Sequence, residues 1–197
     1  MVQGQIFVSQ YMLNSMMASV HRASLLKLTE KANSTGLKTF FANFEEVFGK
    51  QDEVKFTVNS VSDPIIKVTQ TGSTMSGKIN MRILNPFKED FDIARLNLDY
   101  TFKIEFELTS GLILAGLIRD VTFTVQEMQT FFTSKTTTTS FTKALKAFNE
   151  PFMRMANEKL TEGYGLPVPG TLSKSFKKTR MFVYDGFLMI ESDPQLE

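Results

Sequence analysis

Leu96-Asn97-Leu98-Asp99-Tyr100-Thr101-Phe102-Lys103-Ile104-Glu105-Phe106-Glu107-Leu108 alternates apolar and polar side chains without exception. Strict alternation is the signature of a strand with one face in a core and the other in water. Thirteen residues at about 3.3 Å each make a ribbon about 40 Å long, where a usual strand has about five or six residues. A small globule has little use for such a strand, whereas an elongated, twisted sheet does. Its apolar side, with Tyr100, Phe102 and Ile104 near the middle, needs an equally long apolar partner.

The neighbouring segments continue the sheet. After Gly111, Leu112 to Gln126 reads as a second long strand, with Gly116 as its point of bending or bulging. Upstream, Val54, Phe56 and Val58 oppose Lys55, Thr57 and Asn59. A turn at Asp63-Pro64 leads to a strand through Gln70, and Gly72 leads to another from Ser76 to Leu84 that carries Ile79, Met81 and Ile83 on one face. Asn85-Pro86 ends it before the charged loop Lys88-Glu89-Asp90. These spacings suit an antiparallel meander.

Helical periodicity appears at both ends of the chain. Residues 8 to 28 read as a first helix, with Ser9 as cap and Met12, Met16, Val20 and Ala23 along one stripe. Asn33 to Gly36 reads as a turn, and Leu37, Phe40, Phe41, Phe44, Val47 and Phe48 mark a second helix that stops at Gly49 and closes one end of the barrel. Ser134 to Ser140 reads as a polar, Thr-rich linker whose last residue caps the longest helix, although its β-branched Thr residues would also suit a prolonged strand. That helix carries Phe141, Leu145, Phe148, Phe152, Met155 and Leu160 near one face, and Lys143, Lys146, Arg154 and Lys159 on the other. Pro151 predicts a kink or a break in it. Gly163 and Gly165 end the helix, Pro167 and Pro169 keep the chain extended, and Phe176–Tyr184 and Phe187–Ser192 form a hairpin around Asp185-Gly186. The sum is an α+β fold: a long, strongly curved antiparallel sheet wrapped around a long C-terminal helix, with an N-terminal helix beside it. Residues 1–197 are expected to form a single domain.

Composition removes several function classes. The net charge is +1, so no long-range field favours nucleic acid or an anionic membrane. With 0 Cys there is no disulfide, thiolate metal site or thiol nucleophile. His21 is the only histidine, and no Gly-x-Ser-x-Gly elbow, phosphate-binding glycine loop or metal-ligand spacing accompanies it. Glu45, Glu46, Glu105 and Glu107 fall on solvated faces, and Lys174, Lys177, Lys178 and Arg180 form one local basic cluster. Neither an enzyme nor a cofactor site is expected. Met1-Val2-Gln3-Gly4 has no basic leader, and the apolar residues up to Val20 are interrupted too often for a secretory signal or a transmembrane segment. Asn33-Ser34-Thr35 would accept a glycan on a secretory route. The choice of 19 Phe and 11 Met against 0 Trp gives a deformable apolar lining.

Asn157-Glu158-Lys159-Leu160, a short glycine-containing link, Leu166-Pro167-Val168-Pro169, and a terminal strand pair ending in Gly186-Phe187-Leu188-Met189-Ile190-Glu191-Ser192-Asp193 closely resemble the C-terminal end of the bactericidal/permeability-increasing protein family. That family includes the lipopolysaccharide-binding, cholesteryl-ester-transfer and phospholipid-transfer proteins, within the tubular lipid-binding (TULIP) superfamily. Ser9 to Met16 continuing to Leu28, then Phe44-Glu45-Glu46-Val47-Phe48, Asp63-Pro64 and Leu84-Asn85-Pro86 are similar to it in order and spacing, so the resemblance covers nearly the whole chain. It implies a TULIP-like half-barrel, the second barrel of a two-barrel protein. It also implies a lipid partner, secretion, and a protein partner at the face where a first barrel would sit.

On this reading phospholipid or fatty acyl chains occupy a hydrophobic tube between helix and sheet, lined by Met12, Met16, Tyr100, Phe102, Ile104, Phe148, Phe152 and Met155. The lining is for packing and has no covalent chemistry to perform. The alternative is an interaction subunit that keeps the fold, fills the tube with Phe and Met, and docks onto a partner without carrying lipid.

Overall fold

The alternation around Tyr100 extends beyond its quoted limits. The computed structural model describes residues 4–40, 44–88, 91–109, 112–130, 142, 145–166 and 176–194. In chain order its elements are β1 (Gly4–Ser9), α1 (Gln10–Arg22), β2 (Lys27–Asn33), α2 (Thr35–Phe40), α3 (Phe44–Phe48), β3 (Glu53–Ser60), β4 (Ile65–Lys67) and β5 (Ser73–Leu84). There follow β6 (Asp92–Thr109), β7 (Ile113–Thr130), α4 (Lys146–Leu160), β8 (Tyr164–Gly165), β9 (Phe176–Tyr184) and β10 (Phe187–Pro194). At 18 residues each, β6 and β7 span about 60 Å.

The large sheet has the order β2-β3-β5-β6-β7-β8, antiparallel throughout, with β4 pairing β5 beyond the end of β3. It curls so that one helix, α4, touches both β2 and β7. The result is a half-barrel whose inward residues are buried, among them Val54, Phe56 and Val58 on β3, Ile79, Met81 and Ile83 on β5, and Leu96 to Ile104 at alternate positions on β6. A second sheet, β1-β10-β9, contributes Val8, Leu188 and Ile190 to the same core. Its Asp185-Gly186 turn is fastened between the start of α1 and the end of β4. Gln10 donates to the Gly186 carbonyl at 2.8 Å, Gly186 to that of Val68 at 3.0 Å, and the Gln70 amide to Asp185 at 3.0 Å.

Several expectations from the sequence need correction. The first helix ends at Arg22 and does not reach residue 28; Ser24 turns the chain at φ 57°, and Lys27–Asn33 leaves as strand β2. Ser9 does cap the helix, accepting from the Met12 amide at 3.2 Å. Its buried face is one residue round from the Met12–Met16 stripe: Leu13 and Met17 are buried, while Met12 and Met16 are half-buried. The reason is polar. Asn14 spans the free edge of β4, accepting from the Ile66 amide at 2.6 Å and donating to the Ile66 carbonyl at 3.2 Å, while the Gln10 carboxamide accepts from Val68 at 2.9 Å. Gln10, Leu13, Asn14 and Met17 form one face at helical spacing, which a count of apolar residues alone cannot see.

Residues 33–36 are not simply a turn, since α2 starts at Thr35. The strand after Asp63-Pro64 is the three-residue β4 and does not run through Gln70. Gly116 pairs regularly with Phe106; the bulges fall at Arg119 and Gln126, where β7 carries one residue more than β6. Helix α4 continues through Pro151 without a break. Phe141, Lys143, the Ser134–Ser140 linker and Pro167 to Ser175 lie outside the described residues.

Candidate functional site

α4 closes the gap between β2 and β7, and its inward face meets the apolar face of the long ribbon. Phe148, Phe152 and Met155 recur at steps of four and three, so they project to one side of the helix, and each is at least nine-tenths buried. Phe152 lies between two strands, its ring centroid 5.3 Å from that of Phe102 on β6 and 5.4 Å from that of Phe123 on β7, the latter edge-on at 86°. Phe148 meets Phe56 of β3 edge-on at 5.2 Å. Tyr100 stacks on Phe102 at 4.3 Å, and Ile104 is buried one step further along β6. Five of the six expected lining residues on α4 and β6 are thus tied into this apolar interior by position or ring contact, with Met155 buried beside them. Met12 and Met16 belong to α1, which packs on β1 and β4.

Sequence reasoning passed over Phe56 and Phe123 as ring partners, and the amides that seat the helix. Among the described residues no strand lies beyond β7 from Gly116 onward, because β8 pairs with Ile113 and Leu114. Asn157 takes that place: its side chain accepts from the Ile118 amide at 2.7 Å and donates to the Ile118 carbonyl at 3.1 Å. Asn149 donates to the Val121 carbonyl at 3.3 Å. Buried backbone groups need such partners. Leu160 packs beside them, 3.9 Å from where a Cβ on Gly116 would stand. Asn157 and Leu160 are the outer residues of the Asn-Glu-Lys-Leu motif, so that motif is the seating of helix on strand. At the other flank Arg154 reaches Glu30 of β2 at 3.4 Å, in an ion pair open to solvent. A hydrogen bond from the Lys31 backbone, then Arg154, hold the Glu30 carboxyl below its usual range against the opposing effect of burial.

Polar chemistry lies on the outside of the sheet. Arg119 pairs with Glu105 at 2.7 Å and Lys103 with Asp120 at 3.4 Å, and these clamp the first bulge; Asn97 with Glu127 and Gln126 with Asp99, both at 2.7 Å, clamp the second. Among the described residues Asp92 is the charged side chain that is buried. Arg82 grips it through Nη2 at 2.7 Å and Nε at 2.9 Å, and Arg95 also donates to it. Burial pushes this carboxyl up, but the hydrogen bonds and charges of Arg82 and Arg95 outweigh that and hold it below the ordinary aspartate range. Among the described residues no group of three or more His, Cys, Asp or Glu side chains could hold a metal ion, and no helix is long and apolar enough to cross a membrane.

No curated protein matches the sequence. Among solved structures, the crystal structure of lipopolysaccharide binding protein is similar with a TM-score of 0.48 and 13% sequence identity, over 98% of this chain and 43% of that one. The chain therefore spans less than half the length of that relative. A family model described as "LBP / BPI / CETP family, C-terminal domain" matches residues 1–196, almost the whole sequence. The chain belongs to the LBP/BPI/CETP family, which it matches as the C-terminal domain.

Proposed function

We propose that residues 1–197 act as one domain that binds lipid, taking phospholipid or fatty acyl chains into the interior between α4 and the β6–β7 ribbon. The observation that carries this is the meeting of two long apolar faces, Phe148, Phe152 and Met155 against Tyr100, Phe102, Ile104 and Phe123, with polar groups kept to the flanks. The work is desolvation. Each methylene taken from water contributes about 0.8 kcal/mol, so a sixteen-carbon chain gains about 12 kcal/mol before ordering costs.

Because the rings of α4 and the ribbon touch, an acyl chain enters by parting them. The flanks differ in what resists this: amide hydrogen bonds and Leu160 on the β7 side, an exposed ion pair on the β2 side. Helix α4 would swing on β7 and open at β2. Exchange of a fluorescent fatty acid is expected to run faster in Glu30→Gln and Arg154→Gln than in the parent, and unchanged exchange in both would remove the β2 opening. Passing lipid between membranes would use the same opening.

The same ring contacts favour a second reading, in which the interior stays filled and the protein serves as a docking subunit. Its contact surface would be the outward face of β1-β10-β9, where register and alternation group Phe7, Phe182, Tyr184, Phe187 and Met189, with Phe7 59% and Phe182 38% exposed. Native mass spectrometry after gentle purification separates the two. Co-purified phospholipid or fatty acid supports the first reading; a bare chain mass with a stable heteromer supports the second.

A further inference from the structure

Seven residues join β5 to β6, Asn85-Pro86-Phe87-Lys88-Glu89-Asp90-Phe91. Two of them are exposed aromatics, Phe87 at 65% and Phe91 at 52%. Single exposed apolar side chains are ordinary, but here the turn is bonded so as to hold both rings out. The Asn85 side chain accepts from the Phe87 amide, the Asn85 amide donates to the Phe91 carbonyl and the Phe91 amide to that of Lys88, each at 2.9 Å. At the base of the turn Asp92, opposite Leu84, is gripped by Arg82 of β5 and Arg95 of β6, which ties the two strands together where the turn leaves them. Lys88 Nζ lies 4.5 Å from the centre of the Phe91 ring. A cation on a long stem beside an aromatic ring suits a surface with hydrocarbon below and phosphate above, since the ring can enter the one while the ammonium stays with the other.

The place of the turn in the sheet favours lipid as its occupant. In strand register Glu30 stands opposite Phe56, and Phe56 opposite Ile83. The Glu30–Arg154 pair at the β2 opening is therefore level with the residue of β5 that precedes Asn85 by two, and two strand spacings, about 10 Å, separate them across the sheet. The second sheet stands at the other end. Val68 and Gln70, which hold its Asp185-Gly186 turn, come before the start of β5, about 40 Å along that strand from Leu84. Area speaks against a protein in the same place: the two rings offer about 200 Å², where a stable protein interface uses about 800 Å² on each side.

We propose that the β5–β6 turn is a membrane contact: Phe87 and Phe91 enter the surface of a lipid bilayer, Lys88 stays with the headgroup phosphates, and the β2 opening is brought to the lipid that it takes up. This rests on the lipid-binding reading above and names the source of the lipid. In the sequence Lys88 is followed by Glu89 and Asp90, which lie outside the described residues, so the turn carries one lysine against two carboxylates. Attraction to anionic lipid does not drive the contact. The rings do, and a neutral phosphatidylcholine surface is sufficient.

The test uses the full chain and vesicles of pure phosphatidylcholine. The parent is expected to float with them in a density gradient, and Phe87→Ser and Phe91→Ser each to lower its partition about tenfold. Both variants should unfold at the parent's temperature, because neither ring is in the core. Added salt or phosphatidylglycerol is expected to change the partition by less than about twofold. Since the sequence has 0 Trp, Phe87→Trp and Phe91→Trp report the contact directly, with emission that shifts to the blue on adding vesicles and is quenched by lipid brominated along its acyl chains. A parent chain that stays out of the floating fraction, a double serine variant that floats as well as the parent, or tryptophans that brominated lipid does not quench would each overturn the proposal. Binding of a fluorescent fatty acid in vesicle-free solution is measured beside it. Its failure in the parent overturns the lipid-binding reading and leaves the membrane contact to be judged by flotation; its survival in the double serine variant supports a contact separate from the interior, and its loss there would assign the rings to the interior and overturn the contact.

Discussion

Replacing Phe152 with alanine tests the seat of α4 most directly. Its ring is 4% exposed and touches Phe102 at 5.3 Å and Phe123 at 5.4 Å, so truncation removes both ring contacts and leaves a cavity between helix and ribbon. Deleting a buried phenylalanine side chain costs about 3–5 kcal/mol, of which the two ring pairs account for about 0.5–1.5 kcal/mol each. Against a total stability of about 5–15 kcal/mol this is about a fifth or more, and for a chain of this size it lowers the melting temperature by about 10 °C. Tyrosine fluorescence, free of tryptophan here, follows urea unfolding with and without dodecanoic acid. A ligand at a hundred times its Kd returns about 2.7 kcal/mol, and the enlarged interior of Phe152→Ala should recover at least as much as the parent. A loss under about 1 kcal/mol would refute the placement of Phe152 between the two strands. A full loss with no recovery in either protein would leave the helix seat standing and remove the lipid.

Three further perturbations probe what holds the site in shape. Asn157→Ala strips the partner from both backbone groups of Ile118 and is expected to cost about 2–4 kcal/mol in chemical denaturation, with amide exchange at Ile118 accelerated; slow exchange there would show another partner. Asp92 has a lowered pKa in the folded state, so its contribution is complete above the unfolded aspartate value of about 3.9 and is lost as pH falls through the lower folded value. Asp92→Asn should cost about 2–4 kcal/mol near neutrality, less than a fully buried pair because its arginines are half-exposed, and should show a shallower loss of stability between about pH 5 and 2. Gly163 ends α4 at φ +69°, and a Cβ there would stand 2.3 Å from Ile113 Cγ2 and 3.2 Å from the Leu114 carbonyl oxygen. Gly163→Ala should therefore cost more than about 1 kcal/mol and release the β8 pairing, which loss of protection at Ile113 and Leu114 would report.

The sheet was legible wherever one face is wholly apolar. β6 shows this best, because every second residue from Leu96 to Ile104 is buried. β2 was not legible, since the inward side of Leu28-Thr29-Glu30-Lys31-Ala32 carries Glu30, the partner of Arg154, and the alternation is broken by a residue that serves the helix. The bulges of β7 were present as doubled polar steps, Ile118-Arg119-Asp120-Val121 and Val125-Gln126-Glu127-Met128, each placing two outward residues between two inward ones. Attention to glycine as the bending residue pointed to Gly116 instead. The α4 and β6 side of the candidate site was legible because Phe148, Phe152 and Met155 keep helical spacing. The α1 side was not, because its buried face is shared with Gln10 and Asn14.

Those doubled steps and the amides of α4 belong to one arrangement. The bulge at Arg119 separates Ile118 from Val121, the two residues whose free backbone groups Asn157 and Asn149 satisfy. Asn149 and Asn157 are separated by about 12 Å of helix, and Ile118 and Val121 by about 10 Å of strand, so the spacings match only when the helix runs against the direction of β7. That match sets the height of α4 along the strand and puts Phe152, between the two asparagines, level with Phe123 and Phe102. Hydrogen bonding at the edge of the ribbon thus decides which apolar residues face one another inside it. A helix shifted by one turn would break the amide contacts and the ring contacts together, so Asn157→Ala and Phe152→Ala should cost less in combination than the sum of their separate losses. Strict additivity in that double-mutant cycle would mean that amide and ring hold the helix independently.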